Sequence, residues 1–261
     1  MPPKGNKGKQ RETTKAKSKS AKTSSESGNS NDTLPDWPRL QPLVPSTDLS
    51  IQTLLPNQII LIPNLLTPTL CRAYVSFLSA LPLSTTPSKP KKGDEALRIN
   101  DRYQVDDPAF AKRLWEETAL KGLVLGSGGG EEDETMTDEE RRLLWGGEVV
   151  GLNPNIRVYR YRKGQFFAQH YDDSNVLIHP SNTRAKTTWT LLLYLTTPSA
   201  GGETIFYPST PASPDPSPIS IPPSAGMALL HRHGKECLLH EGREVVQGEK
   251  WVLRTDLCVK S

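Results

Sequence analysis

The sequence predicts a mainly β fold, a sandwich or barrel of short strands, with supporting helices before it and a basic tail at its N-terminus. Three observations predict this. Strand-like runs rich in β-branched and aromatic residues recur from about residue 154 to the end, with Gly at several turns between them. Apolar residues at helical spacing occur only before that point. The first aromatic residue is Trp37, and Leu34 is the only large aliphatic residue ahead of it.

The elements follow in order. Residues 1–35 are dominated by Lys, Ser, Thr and Gly and read as a disordered basic tail, since little apolar surface is available there to offset chain entropy. Residues 36–150 read as a helical support region. Thr67 is a good N-cap and Pro68 suits the first helical position, so a helix is expected over 68–80 with Leu70, Ala73, Tyr74, Phe77 and Leu78 facing a core. A second helix is expected from Asp107-Pro108, burying Phe110, Ala111, Leu114 and Trp115. Pro87–Gly93 reads as an exposed loop and 126–136 as a flexible acidic insertion; Thr137-x-x-Glu140 then forms a capping box for a short helix through Leu143 and Leu144. Residues 151–261 carry the strands: Ile156–Tyr161, Thr188–Thr196, Glu203–Tyr207, Met227–His231, Glu236–His240 and Lys250–Val259. Seven prolines in 208–224 mark a polyproline-like surface loop rather than a strand, because proline removes ladder donors.

Charge and composition exclude several classes. Residues 1–35 carry eight Lys/Arg against three acids, whereas the remaining residues carry 24 against 26. Positive charge is therefore concentrated in the tail, and nucleic acid is not an expected partner except through that tail. Lysine clusters of this kind also serve as nuclear import signals. No apolar run approaches the ~20 residues of a membrane helix, and no apolar segment follows the N-terminal charges, so no membrane partner and no secretory signal are expected. Three cysteines without a C-x-x-C spacing suit free thiols in a reducing compartment, hence cytoplasm or nucleus.

The residues that carry chemistry lie in the strand-rich half. In Ala168-Gln169-His170-Tyr171-Asp172, His170 and Asp172 are two apart, which on an extended chain sets imidazole and carboxylate side by side. His240 ends the apolar stretch Cys237-Leu238-Leu239. Two histidines and one carboxylate occupy one face of an octahedral ion and leave three positions open, the arrangement of non-haem Fe(II) oxygenases; zinc more often takes four ligands with at most one open position. Ten residues after His240, Lys250 opens a strand on which Val252 and Arg254 share its face. A cation on a barrel wall needs an anion, either a bound dicarboxylate or an internal partner such as Glu249 for Lys250 or Asp256 for Arg254.

His170-x-Asp172, His240 and Lys250, so spaced, resemble the Fe(II)/2-oxoglutarate-dependent dioxygenases, and most closely their prolyl 4-hydroxylase-like branch. Flanking segments agree: Tyr159–Phe167 before the first histidine, Leu193-Tyr194-Leu195 followed by Gly201–Phe206, and His240-Glu241-Gly242 through Gly248-x-Lys250. The resemblance covers roughly 150–260 and continues weakly through 68–120, where Arg98, Asn100 and Arg102 lie. It implies a double-stranded β-helix (jelly-roll) core. His170, Asp172 and His240 would hold Fe(II). Lys250 would pair with the distal carboxylate of 2-oxoglutarate; Tyr161 and Thr190 match a tyrosine and a threonine of the same pocket. Arg254 departs from the uncharged residue that most prolyl hydroxylases carry there, and is expected to share the cosubstrate or reach the substrate. The implied activity is hydroxylation of an aliphatic C–H, a prolyl one among the candidates, on a peptide or small molecule. It would use O2, release succinate and CO2, and have ascorbate as a further candidate cofactor. The alternatives are a non-catalytic metal-binding jelly roll and an oxygenase held on nucleic acid by its tail.

Other polar residues compete for these roles. His231-x-His233 is a second strand-spaced pair that Asp172 could join, but only His240 places Lys250 ten residues on. His233 reads as a structural or pocket histidine, His179 as an exposed loop residue, Asp173 as a turn residue, and Asn100 with Arg102 as candidates for the substrate entrance or for capping and surface pairing. Trp115, Trp145 and Trp251 read as core.

Overall fold

Period-two alternation builds both faces of the main sheet. The computed structural model describes residues 34–86, 96–126, 136–208 and 217–261. The basic tail expected over 1–35, the loop at 87–93 and the acidic insertion at 126–136 lie wholly or almost wholly outside them, as do residues 209–216 of the proline-rich stretch. Leu34–Ser261 form one compact unit.

In chain order the elements are β1 (Gln52–Leu55), β2 (Ile59–Ile62), α1 (Pro68–Ser79), β3 (Ser84–Thr85), β4 (Arg98–Ile99), β5 (Asp101–Asp106), α2 (Pro108–Glu117), α3 (Leu120–Leu125) and α4 (Asp138–Trp145). Then follow β6 (Val149–Leu152), β7 (Asn155–Tyr161), β8 (Phe166–His170), β9 (Val176–His179), β10 (Thr183–Tyr194), β11 (Ala200–Gly201) and β12 (Thr204–Tyr207). The last are β13 (Ile219–Ile221), β14 (Ala228–Arg232), β15 (Leu239–Gly242), β16 (Val245–Gln247) and β17 (Lys250–Lys260). The major sheet runs β1-β2-β14-β10-β17-β7-β5-β3, with β9 also on β10 and β6 also on β17; the minor sheet runs β13-β12-β15-β8-β4. Neighbouring strands are antiparallel throughout.

The two sheets face each other as a jelly roll, and the major sheet is buried on both sides. Ile156, Val158, Leu191, Leu193, Leu253 and Leu257 point to the helices and join Leu70, Tyr74, Phe110 and Leu114 in one core. The intervening Tyr159, Tyr161, Tyr194, Leu229 and Val252 point to the minor sheet and pack on Phe206 and Ile221. A strand buried on both faces reads as an unbroken apolar run, which accounts for Thr188–Thr196. The same parity sends Lys250, Val252 and Arg254 between the sheets.

The helices start where the caps predict. Thr67 Oγ1 accepts from the Leu70 amide, and Asp107 accepts from that of Phe110. Thr137 and Glu140 form the reciprocal capping box. On α1, Cys71 is buried where Ala73 was expected.

Four differences from the sequence reading have physical causes. The region 36–150 is not purely helical: β1–β5 lie within it, and β2 and β5 pair with β14 and β7 at opposite flanks of the major sheet. Ile59–Ile62 is too short for its period to distinguish strand from helix. The expected proline-rich loop contains β13, since Ile219–Ile221 falls between prolines and pairs with β12. The strand expected at Glu236–His240 begins at Leu239, after a 3-10 turn at Gly234–Glu236. Finally, α3 has no sequence signal, because it spans only six residues and starts at Ala119 without a side-chain cap.

The N-terminal segment is tied to α2 by Trp37, which stacks on Phe110 at 4.0 Å between ring centroids. Its indole N–H donates to Asp107, the cap of that helix, at 2.8 Å. Trp37→Ala is expected to lower unfolding free energy by about 3–5 kcal/mol, measured by urea denaturation; a loss under ~1 kcal/mol would mean the segment is not part of the core.

Candidate metal centre

Register brings the distant histidines together. His240 on β15 lies directly across from His170 on β8. Their rings are 4.2 Å apart. Asp172 follows β8 by two residues, so the chain has left the strand when its carboxylate turns in. The Nε2 atoms of His170 and His240 lie 3.8 and 3.7 Å from the Asp172 carboxylate. One donor atom from each of the three residues falls within 4.8 Å of the other two, close enough to share an ion.

Backbone carbonyls orient both imidazoles. His170 Nδ1 lies 2.8 Å from the Ala168 carbonyl, and His240 Nδ1 lies 2.9 Å from that of Leu238. An Nδ1–H donated to each carbonyl leaves the Nε2 lone pairs facing Asp172, as metal-ligating histidines require. Burial, followed by the nearby His240, lowers the His170 pKa to about 3, and burial lowers that of His240. His170 also stacks on Phe167 at 3.5 Å.

Asp172 is clamped. It accepts from Arg254 at 3.0 Å and from Thr190 Oγ1 at 3.0 Å. Burial opposes its ionisation, but the Arg254 guanidinium together with the His231, His240 and His170 rings outweighs this and holds the carboxyl well below the usual range. Thr190 in turn contacts His233 Nδ1 at 3.0 Å, whose Nε2 contacts Thr187 Oγ1 at 2.9 Å. His233 is thus a satisfied histidine that steadies the clamp.

Lys250 lies at the other end of the same narrow cavity, which His170, Asp172, His240 and Tyr161 also line. It is 4% exposed. Its Nζ donates to the Gly202 carbonyl at 2.7 Å and to Thr204 Oγ1 at 3.4 Å. The Tyr161 and Tyr194 ring centroids lie 5.5 and 5.3 Å away. Gly202 has φ +81°, a conformation that a side chain would strain. No carboxylate among the described residues lies within 4.0 Å of Nζ, and burial lowers its pKa to about 7.

The remaining expected site residues are distributed as follows. Tyr161 is the register partner of Lys250 and lines its cavity. Thr190 differs from expectation: it sits at the Asp172 end, and Thr204 is the threonine beside Lys250. Thr190 pairs in register with Asp256, whereas Tyr194 pairs with Val252, nearer Lys250. Arg254 also differs, because its guanidinium is engaged by Asp172, with Asp256 3.7 Å away. Glu249 does not pair with Lys250; its carboxylate accepts from the Trp251 indole. Arg102 lines the wide cleft outside the triad, but buried Asn100 does not; its backbone N–H and C=O bond to Thr86.

Two further residues are close to the site. His231 Nε2 is 3.6 Å from Asp172, and its ring is 4.6 Å from that of His240. The half-buried thiol of Cys237 accepts from the Asp172 amide at 3.2 Å. The parity of β14 was a usable signal for His231, since it shares a face with Leu229 of the inner core. Cys237 carried no such signal, because it lies outside a strand.

Residues 156–255 match the family model described as the 2OG-Fe(II) oxygenase superfamily. Over that segment the chain resembles the 2OG-Fe(II) oxygenases. No curated protein matches the chain. Among solved structures, a prolyl-4-hydroxylase of Pseudomonas putida is 16% identical, with 77% of this chain and 92% of that chain covered and a TM-score of 0.47. A viral collagen prolyl hydroxylase from Paramecium Bursaria Chlorella virus-1 is 17% identical over 77% and 96%, TM-score 0.45. A prolyl hydroxylase from Trichoplax adhaerens is 16% identical over 77% and 83%, TM-score 0.49. Among the described residues, no helix is long and apolar enough to cross a membrane.

The lowered pKa of Lys250 has a consequence for stability. Between about 7 and the ordinary value of 10.5 the unfolded chain holds a proton that the folded chain lacks, so this group's contribution rises with pH across that window and is lowest below it. Lys250→Met is therefore expected to stabilise the ligand-free protein, by on the order of a few kcal/mol at pH 6 and by much less near pH 10. Urea unfolding of both proteins at the two pH values measures this; an equal difference at both would show that Lys250 is not desolvated.

Proposed function

We propose that this protein is an Fe(II)- and 2-oxoglutarate-dependent dioxygenase that hydroxylates an aliphatic C–H. The observation that carries the reading is one narrow cavity with a two-imidazole, one-carboxylate donor set at one end and a buried lysine lacking a carboxylate partner at the other. The donor set suits iron in an open site. The lysine supports a dicarboxylate cosubstrate, since an unpaired buried cation is costly and an anion offsets that cost.

In this reading His170, Asp172 and His240 hold the metal, and Lys250 meets the distal carboxylate of 2-oxoglutarate beside the Tyr161 ring. When bound, iron and 2-oxoglutarate supply the oxidising chemistry, with O2 consumed and succinate and CO2 released. The chain's own residues orient and enclose. Ala168 and Leu238 carbonyls keep both imidazole Nε2 atoms free. Arg254 and Thr190 hold Asp172 ionised and fixed in place. Phe167, Tyr161, Leu192 and Val252 line the cavity and limit its water. Prolyl-type specificity belongs to the same reading, on the strength of a lysine ten residues after the second histidine.

Protein reconstituted anaerobically with Fe(II) and 2-oxoglutarate should develop a weak visible charge-transfer band, absent in His170→Ala; failure of the native protein to develop it would sink the reading. Lys250→Ala should weaken 2-oxoglutarate binding by about tenfold or more. The same contact predicts proton uptake on 2-oxoglutarate binding at pH 8, above the Lys250 pKa of about 7. At pH 6, where the ammonium is already formed, the uptake should vanish. Calorimetry in buffers of different ionisation enthalpy reads this out, and no uptake at either pH would remove Lys250 from the binding site.

A second reading has its own observation. His231, Cys237 and His240 also bring donor atoms within 4.8 Å of one another, a nitrogen–sulfur set that suits zinc, and the Asp172 carboxylate, 3.6 Å from His231 and 3.7 Å from His240, would supply the fourth ligand of a closed, non-catalytic site. Under it, zinc should bind more tightly than Fe(II) and Cys237→Ser should weaken it strongly. Under the oxygenase reading, Cys237→Ser leaves the visible band in place.

A further inference from the structure

The cleft outside the triad has a volume of about 1060 Å3, and four arginines line it: Arg98, Arg102, Arg157 and Arg254. Two of them are committed. Arg157 pairs with Asp256 at 3.0 Å, and Arg254 with Asp172 at 3.0 Å. Arg98 and Arg102 have no carboxylate within 4.0 Å among the described residues. The Arg98 guanidinium lies 5.0 Å from the Phe167 ring centroid and 6.0 Å from that of Tyr159, so aromatic faces support it but leave its charge unmatched. Arg102 donates to Gln104 Oε1 at 2.6 Å, a neutral acceptor.

These two guanidinium groups come from different sheets. Arg98 on β4 is the register partner of Phe167, in the minor sheet, and Arg102 on β5 is the register partner of Tyr159, in the major sheet. Both line the cleft, and the Arg98 guanidinium lies 6.0 Å from the ring of Tyr159, the register partner of Arg102, so the two cations are neighbours there. Both are half-buried on paired strands, so their positions are set before any ligand arrives. Planar guanidinium forks held this way match carboxylates bidentately.

We infer that the substrate is an acidic peptide segment, whose glutamate or aspartate carboxylates seat on Arg98 and Arg102 while the C–H to be oxidised faces His170 and Asp172. The inference rests on the oxygenase reading, because it takes the triad as the point of reaction. The cleft is at the upper end of what small ligands fill, roughly 300–1,000 Å3, and suits a longer occupant. Exposed Tyr171 and half-buried Leu177 and Leu239 add apolar contacts along it. Nucleic acid fits less well. Outside residues 1–35 the chain carries 24 cationic against 26 acidic residues, which leaves no extended track for a polyphosphate backbone, whereas two neighbouring guanidinium groups suffice for one or two peptide carboxylates.

The test is fluorescence anisotropy on the full-length protein with three labelled probes: a peptide pool enriched in glutamate, a matched pool with glutamine in its place, and single-stranded RNA of similar length. The glutamate pool should bind about tenfold or more tightly than the glutamine pool. The double substitution Arg98→Gln/Arg102→Gln should abolish that preference, and Arg98→Lys/Arg102→Lys should retain part of it; urea unfolding verifies that both variants are folded. Equal binding of the two pools, binding of neither, or tighter binding of RNA would overturn the inference. The visible band of the native protein separates this failure from that of the oxygenase reading. A band without glutamate preference sinks the peptide inference alone, and glutamate preference without a band sinks the oxygenase reading.

Discussion

The carboxylate of Asp172 is where the two sheets meet electrostatically, and the rest of the site is arranged around it. The residue belongs to the chain leaving the minor sheet, yet its strongest contacts, Arg254 and Thr190, come from β17 and β10 of the major sheet. An ionised carboxylate this deeply buried is tolerable only with such partners. Two minor-sheet imidazoles and one major-sheet imidazole, that of His231, then face it within 4 Å. Any slip of β8 against β15 would move His170 away from His240 and turn alternate side chains to the wrong face.

The same constraint explains why charge sits inside an otherwise apolar barrel. Lys250 and Arg254 share the inner face of β17 with Val252, but their situations differ. Arg254 has a carboxylate within 3.0 Å, and although burial opposes its charge, Asp172 pushes its pKa upward. Among the described residues Lys250 contacts a carbonyl, a hydroxyl and two aromatic rings, so burial prevails and its pKa falls. One cation serves the architecture, while the other retains unmet demand for an anion. The outer cleft repeats the contrast, with Arg157 and Arg254 paired to carboxylates and half-buried Arg98 and Arg102 without one among the described residues.

Much of the fold was legible because local chemistry and tertiary context agree. Thr67-Pro68, Asp107-Pro108 and Thr137-x-x-Glu140 mark helix starts by side-chain capping, which acts within a few residues and is insensitive to the rest of the chain. Phe110, Ala111, Leu114 and Trp115 fall on one face of a helix for the same local reason. Strands were legible where apolar or aromatic runs were long. They were not at Ile59–Ile62, Arg98–Ile99 or Ile219–Ile221, which are too short to express a period and exist only because a neighbouring strand supplies their hydrogen bonds.

The sequence by itself determined the residue types of the site and the parity that turns Lys250, Val252 and Arg254 to one face, since both follow from strand geometry alone. Tertiary structure alone decided which of those groups meet. The register that sets His240 against His170 fixes contacts across seventy positions of chain. It also carried Thr190 to Asp172 rather than to Lys250, brought His231 and Cys237 beside the triad, and engaged Arg254 with Asp172. Such outcomes depend on how two sheets stack and stagger, a long-range property that neither spacing nor composition encodes locally.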